Sequence, residues 1–267
     1  MTDETDPFGA DTPWTGDARR LLTRAIARHG GWAAWHATNG IALRVATLAG
    51  RLPESKGVGV TFPAPTRVEV WPRRDLVVLQ DYPVVGQRGV YSAGQVHILE
   101  GEAILEARAD PRASFKGRRA RRSWSALDAL YVFGASLASA QALPFSLTSA
   151  RPLSFRGARS QGLPLWGVEI DVPGTTLNHR LEQTIFFDKE GFVRRHDYAF
   201  GVVGWWASVA DLFDDYVEVG GLAVARRRRI VGRLGRFELG SVAIDLTFDD
   251  VAAIPAVEPT RPRLSLV

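Results

Sequence analysis

Arg194-Arg195-His196-Asp197-Tyr198 is the densest run of chemistry-bearing side chains in the sequence. Alternation along a strand sends Phe192, Arg194, His196, Tyr198 and Phe200 to one side, and Val193, Arg195, Asp197 and Ala199 to the other. His196 and Asp197 therefore cannot form a catalytic pair. His196, next to Tyr198, could act as a general base if their face borders a cavity. The simpler reading is a histidine on a half-buried strand face.

Other acidic and basic groups yield less. Asp211 and Asp215 share a strand face but stand about 13 Å apart, too far for one ion. Asp214 points the other way. Glu169 and Asp171 share a face about 7 Å apart, which reads as an exposed strand face. His29 and His36 flank one short helix without an evident third ligand, and His97 and His179 stand alone. There is no nucleophile elbow, no phosphate-cradling loop and no dinucleotide fingerprint. With no cysteine in the chain, disulfides, thiolate metal sites and cysteine nucleophiles are excluded. Neither a metal nor a cofactor is expected.

Two arginine runs suggest contact with anions. Arg118, Arg119, Arg121 and Arg122 precede an apolar segment, where they could hold a lipid head group or form a solvated linker. In the second run, Arg226 and Arg228 alternate with Arg227 and Arg229, which divides the charge between two faces. Pairing with Asp214 and Asp215 across a hairpin fits that division. The net charge of +4 is mild, and unclustered charge of this size is no nucleic-acid footprint.

The elements that position these residues follow from the pattern. Residues 1–15 read as a disordered tail, acidic and without the basic start and apolar stretch of a secretory signal, so a cytoplasmic location is expected. Helical spacing of Ala18, Leu21, Leu22, Ala25 and Ile26, with Gly30-Gly31 beyond, predicts a helix from Asp17 to His29. A short helix over Trp32 to Ala37 follows. From Gly40 the period changes to two. Strands are predicted at about 41–49, 58–63, 66–72, 75–82, 88–92, 95–99 and 102–108, then at 152–158, 164–172, 181–188, 191–200, 205–219, 222–232 and 238–249. Such close succession implies hairpins and hence an antiparallel sheet. After Val251 the sequence reads as a proline-rich tail, 252–267.

A helical insertion over about 110–147 interrupts the strands. Within it a helix is predicted from Trp124, with Ser123 as N-cap, to about Ala142, where Pro144 stops it. This helix has no polar face. Asp128 and Gln141 are its only strongly polar side chains, and Trp124, Leu127, Leu130, Tyr131, Val132, Phe133 and Leu137 are distributed all round it. Such a helix must be covered on nearly every side. It is too interrupted to span a membrane, which takes about 20 apolar residues. Three readings remain: a core plug, a lid over a ligand cavity, or peripheral membrane contact aided by the basic run.

Three segments carry a resemblance to a known fold. They are Ala27-Arg28-His29-Gly30-Gly31-Trp32-Ala33-Ala34-Trp35 before the first strand, Phe186-Phe187-Asp188-Lys189-Glu190-Gly191-Phe192-Val193-Arg194-Arg195-His196-Asp197-Tyr198, and Asp214-Asp215-Tyr216-Val217-Glu218-Val219-Gly220-Gly221-Leu222-Ala223-Val224. With the order helix, hairpin strands, helical insertion, hairpin strands, they resemble an uncharacterised bacterial group related to the lipoprotein-carrier fold of LolA, LolB and LppX-like proteins. The resemblance covers about residues 17–250. It implies a bent, unclosed antiparallel half-barrel, covered by an N-terminal helix and the central insertion, around a hydrophobic cavity for acyl chains. Those carriers are exported, and this chain shows no export signal.

The expectation is a mainly β protein with helices, one domain over 16–251. It binds a hydrophobic or lipid-like small molecule between sheet and central helix, without catalysis. Trp71, Trp124, Leu127, Tyr131, Phe133, Leu137, Phe145, His196, Tyr198 and Trp206 are the candidate pocket residues. The alternative from another class is an enzyme that cyclises or rearranges a hydrophobic substrate in the same cavity.

Overall fold

The structure, a computed structural model, describes residues 13–58, 65–116, 123–171, 182–204, 207–235 and 237–256. Among these, thirteen strands form one sheet. The first six are β1 (Thr38–Ala49), β2 (Thr66–Trp71), β3 (Leu76–Gln80), β4 (Gln87–Ser92), β5 (Gln95–Glu100) and β6 (Ala103–Arg108). The remainder are β7 (Arg151–Ser160), β8 (Leu163–Asp171), β9 (Glu182–Phe187), β10 (Val193–Ala199), β11 (Ser208–Val219), β12 (Leu222–Leu234) and β13 (Phe237–Pro255). Four α-helices accompany them: α1 (Gly16–Arg28), α2 (Gly31–Ala37), α3 (Arg51–Lys56) and α4 (Ala126–Ala142).

Every strand pair is antiparallel. The spatial order β6-β5-β4-β3-β2-β1-β13-β12-β11-β10-β9-β8-β7 leaves β6 and β7 as edges, so the sheet does not close. Two sequential meanders meet at one seam, where β1 pairs β13 from Thr38↔Pro255 to Ala49↔Asp245. The segment bearing α4 joins the two outer edges. The antiparallel sheet is what the close succession of strands predicted, and its open form is what the carrier resemblance implied.

Several local expectations change. β13 runs four residues past Val251, because Ala252 and Ala253 pair with Ala42 and Ile41 of β1. The N-terminal residues expected to be loose include Trp14, fully buried with its indole N–H donating to the carbonyl of Ala150 at 2.8 Å. Ser123 is not the N-cap of the central helix. Ser125 is: its Oγ accepts from the Asp128 amide at 3.2 Å, while the Asp128 carboxylate accepts from the Ser125 amide at 3.0 Å. This reciprocal pair satisfies donors that the first turn leaves open. Arg108 of β6 also donates to Asp128, fastening the start of α4 to the sheet edge. The strand expected at 58–63 lies outside the described residues from 59 onward.

The core lies on one face of the sheet, beneath the helices. α4 packs on β2 to β6, and two glycines permit the approach. A Cβ at Gly134 would sit 2.4 Å from the Cβ of Tyr91, and one at Gly89 would sit 2.5 Å from Tyr82 and 3.0 Å from Leu130. α1 buries its predicted stripe, Ala18, Leu21, Leu22, Ala25 and Ile26. α2 lies near β1 and β12, and its Trp35 stacks on Phe145 with ring centroids 4.4 Å apart. The opposite face carries a smaller apolar cluster of Ala210, Leu212 and Val231.

Candidate functional site

A row of buried polar side chains crosses the otherwise apolar core face from β9 to α4. Strand register builds it. His196 of β10 stands directly opposite Asp211 of β11, and Gln183 of β9 shares that face. Arg228 of β12 pairs with Phe213, so it also points inward. The Nε2 of His196 lies 2.5 Å from Oε1 of Gln183. Arg228 donates to the Asp211 carboxylate and, at 3.0 Å, to the hydroxyl of Ser136 on α4. It reaches the Ser136 carbonyl at 3.4 Å and stacks over the Phe213 ring.

Burial governs the chemistry of this row. His196 is pushed down to about 3, first by desolvation and then by the charge of Arg228, so its imidazole is neutral at physiological pH. Desolvation raises the Tyr198 phenol and the Asp211 carboxyl, the latter held back in part by Arg228. A neutral imidazole bonded to an amide, with a protonated phenol 4.7 Å from it, is poorly suited to general base work near neutral pH. One oxygen of Asp211, the amide nitrogen of Gln183 and Nε of Arg228 are buried without a hydrogen-bond partner among the described residues. Buried groups of this kind ordinarily find one.

Alternation separated His196 from Asp197, and the structure agrees. Asp197 lies on the other face, held by Arg195 at 2.6 and 2.9 Å. The acidic residues weighed for metal binding are each engaged by a guanidinium: Asp211 by Arg228, Asp214 by Arg229 and Asp215 by Arg226. Arg227 pairs with Asp245. Pairing across the hairpin was legible; the inward path of Arg228 was not. Glu169 is taken up by Arg156 and Ser154, and Asp171 lies 3.6 Å from Arg151.

A cavity of about 20 Å³ opens where the C-terminal end of α4 faces β11 and β12. It is bordered by His29, Gln141, Phe145, Phe213, Tyr216 and Arg228, among others, and has room for about one water. His29 donates from Nδ1 to the carbonyl of Ala25 at 2.8 Å, leaving Nε2 without a partner among the described residues. Burial lowers this histidine to about 4.

Of the expected pocket residues, Phe145 borders this cavity. His196 and Tyr198 lie together on the polar row. Leu127, Phe133 and Leu137 are buried on α4, and Tyr131 and Trp124 each contact Phe115, at centroid distances of 5.7 and 5.8 Å. Trp71 is half-buried near Gly40, where an added Cβ would come 2.8 Å from its ring. Trp206 and the four arginines of the first basic run lie outside the described residues. The reading from sequence missed Gln183, Asp211, Arg228 and Ser136 as a group, because their proximity depends on strand order. Among the described residues no helix is long and apolar enough to cross a membrane.

No family model matches the chain, and no curated protein does. Solved structures of similar fold include a LolA superfamily protein of Nitrosomonas europaea, with 8% identity and a TM-score of 0.48 over 91% of this chain and 96% of that one. A second, described as an outer membrane lipoprotein-sorting protein domain of Vibrio parahaemolyticus, has 10% identity and a TM-score of 0.42, over 90% and 93%. A DUF1329 family protein of Desulfovibrio piger has 11% identity and a TM-score of 0.49, over 91% and 96%. At such identities no residue role passes from them to this chain.

Proposed function

We propose that this protein binds a hydrophobic or lipid-like small molecule on the core face of the sheet, without converting it, and that α4 fills that place while the ligand is absent. The observation that carries this reading is α4 itself. Twelve of its seventeen residues are buried, and apart from its ties to Arg108 and Arg228 it packs in the apolar core, where an apolar guest would be as acceptable as the helix. The two ends of its attachment differ. Towards β2 to β6 it is closely packed and anchored by Asp128 to Arg108. Towards β12 its hydrogen-bonded tie is Ser136 to Arg228.

That tie lies beside the small cavity, since Arg228 also borders it. Parting α4 from β11 and β12 at Ser136 would enlarge the cavity between Phe213, Tyr216, Gln141 and Phe145. An acyl chain needs several hundred Å³, so binding is coupled to this movement. The free energy of opening then lowers the apparent affinity in proportion to the fraction of open molecules.

Two measurements test the reading. Native mass spectrometry of the purified full chain should show adducts that organic extraction identifies as lipid. Titration with Nile red should show saturable binding, and Ser136→Ala, which loosens the tie by about 1.5 kcal/mol, should tighten it roughly tenfold. Absence of adducts, together with no saturable dye binding by either protein, would end the proposal.

A further inference from the structure

We infer that the ligand of the core face is a neutral lipid that ends in a hydroxyl group, and that this hydroxyl occupies the small cavity between His29 and Arg228. The inference rests on the binding reading proposed above and adds the chemistry of the ligand's polar end. Both side chains border the cavity of about 20 Å³, together with Gln141 and Tyr216. That volume holds about one water, and so one hydroxyl, whereas the ligand's chain needs the space that α4 vacates.

The hydrogen-bonding groups at the cavity define what it can receive. The Tyr216 hydroxyl is spent on the carbonyl of Val193, to which it donates at 2.5 Å. Arg228 gives Nη2 to Asp211 and Ser136 and Nη1 to the Ser136 carbonyl. Its Nε has no acceptor among the described residues. His29 donates from Nδ1 to Ala25, so its neutral ring offers a lone pair at Nε2, and this atom also lacks a partner among the described residues. Both side chains are only 2% exposed, and buried polar groups ordinarily find a partner. One donor and one acceptor are thus open. A hydroxyl accepts and donates at a single oxygen and complements both.

The acceptor is held from several sides. The His29 ring packs edge-on against Phe192 and Tyr216, with centroids 5.6 and 5.5 Å away. Its carbonyl accepts from the amide of Ala223 at 3.3 Å. Gly30 then brings the chain against the β11–β12 hairpin so closely that a Cβ there would strike the carbonyl of Gly221. Other polar ends fit less well. A carboxylate has no proton to give His29, which burial keeps neutral, and the charge of Arg228 is already met by Asp211. An ammonium group would adjoin Arg228. A plain hydrocarbon would leave both open atoms buried and unpaired, which is costly.

The experiment is displacement of Nile red from the full chain, near neutral pH, by dodecanol, by its methyl ether and by dodecanoate. The ether keeps the acceptor oxygen and lacks the proton, and dodecanoate lacks the proton as well. Dodecanol should displace the dye at a concentration roughly tenfold lower than either. His29→Leu, its folding checked by thermal melting, should keep dye binding and bring alcohol and ether within about twofold of each other. Three results would overturn the inference while leaving apolar binding in place: displacement by ether or dodecanoate as readily as by dodecanol, no displacement of bound dye by dodecanol, or an undiminished alcohol preference in folded His29→Leu. If His29→Leu does not fold, the three compounds on the unaltered chain decide. No saturable dye binding at all would overturn the inference through the reading on which it rests.

Discussion

Arg228 and Asp211 are each 2% exposed and ion-paired beneath α4. Arg228→Met retains much of the side chain's volume and removes its charge, leaving Asp211 in a site that already raises its carboxyl by desolvation. Breaking a buried pair at one partner costs about 3–5 kcal/mol, and Asp211→Leu alone should cost a similar amount because Arg228 keeps only Ser136 and the Phe213 ring. Removing both charges, in Arg228→Met/Asp211→Leu, should return stability to within about 1 kcal/mol of the unaltered protein. The coupling between the two sites is then at least about 5 kcal/mol. The pH dependence has a definite sign. With its folded pKa above the unfolded value, Asp211 in the Arg228→Met variant keeps a proton that the unfolded chain releases above about pH 3.9. Stability relative to the unaltered protein therefore falls as pH rises through that window, and the deficit should be larger at pH 8 than at pH 5. Urea denaturation followed by circular dichroism at both pH values measures it. Additive losses in the double variant, or a deficit that does not change with pH, would refute the reasoning.

Further outcomes follow from the described geometry. Ser125→Ala should destabilise by about 1 kcal/mol and Ser123→Ala by less than about 0.5 kcal/mol, as read by thermal melting. Gly134→Ala should destabilise by about 2 kcal/mol despite a helix-propensity gain of about 1 kcal/mol, because the new Cβ strikes Tyr91; a stabilised variant would show that α4 shifts freely. Trp14→Ala should cost about 3–5 kcal/mol in chemical denaturation, whereas a truly loose tail would show no loss. His29 and His196, lowered to about 4 and about 3, bind protons only on unfolding between those values and about 6.5. Each therefore removes about 2 kcal/mol of stability as pH falls to 5, and their ring resonances should not titrate above pH 5; a midpoint near 6.5 for either would be contrary.

The periods of the sequence carried most of the architecture. The alternation of β2 to β6 and β8 to β12 placed strands within a few residues, and Gly220-Gly221 and Gly191 marked turns that the structure keeps at positive φ. The all-round apolar character of α4 announced its burial. What failed did so for physical reasons. Ala252 to Pro255 have too little side-chain signal to be read as a strand, and only β1 gives them partners. α3 contains Pro53, which reads as a breaker although proline is tolerated in a first helical turn. Arg228 looked like one more member of a run of four arginines paired with Asp214 and Asp215, and Asp211 like a carboxylate too far from Asp215 to share an ion, because alternation shows that faces differ but not which face is covered. Gln183 had no feature to distinguish it. Its role appears only once β9 lies beside β10.

The seam between β1 and β13 has a consequence for how the chain reaches its folded form. Each meander is assembled from neighbours a few residues apart, so either can form early from local hairpins. The seam joins residues about two hundred positions apart, and closing so long a loop costs roughly 5 kcal/mol of chain entropy. It therefore sets the slow step, and until it closes the two halves remain separate apolar faces linked only through the α4 segment. The same seam brings the end of β13 to the start of β1, the amide of Ala256 meeting the carbonyl of Ala37 at 2.8 Å. A circular permutant opened at an outer edge of the sheet would separate β13 from β1 by about fifty residues, 256–267 and 1–37, instead of about two hundred, so the slowest contact of the natural order would close a much shorter loop.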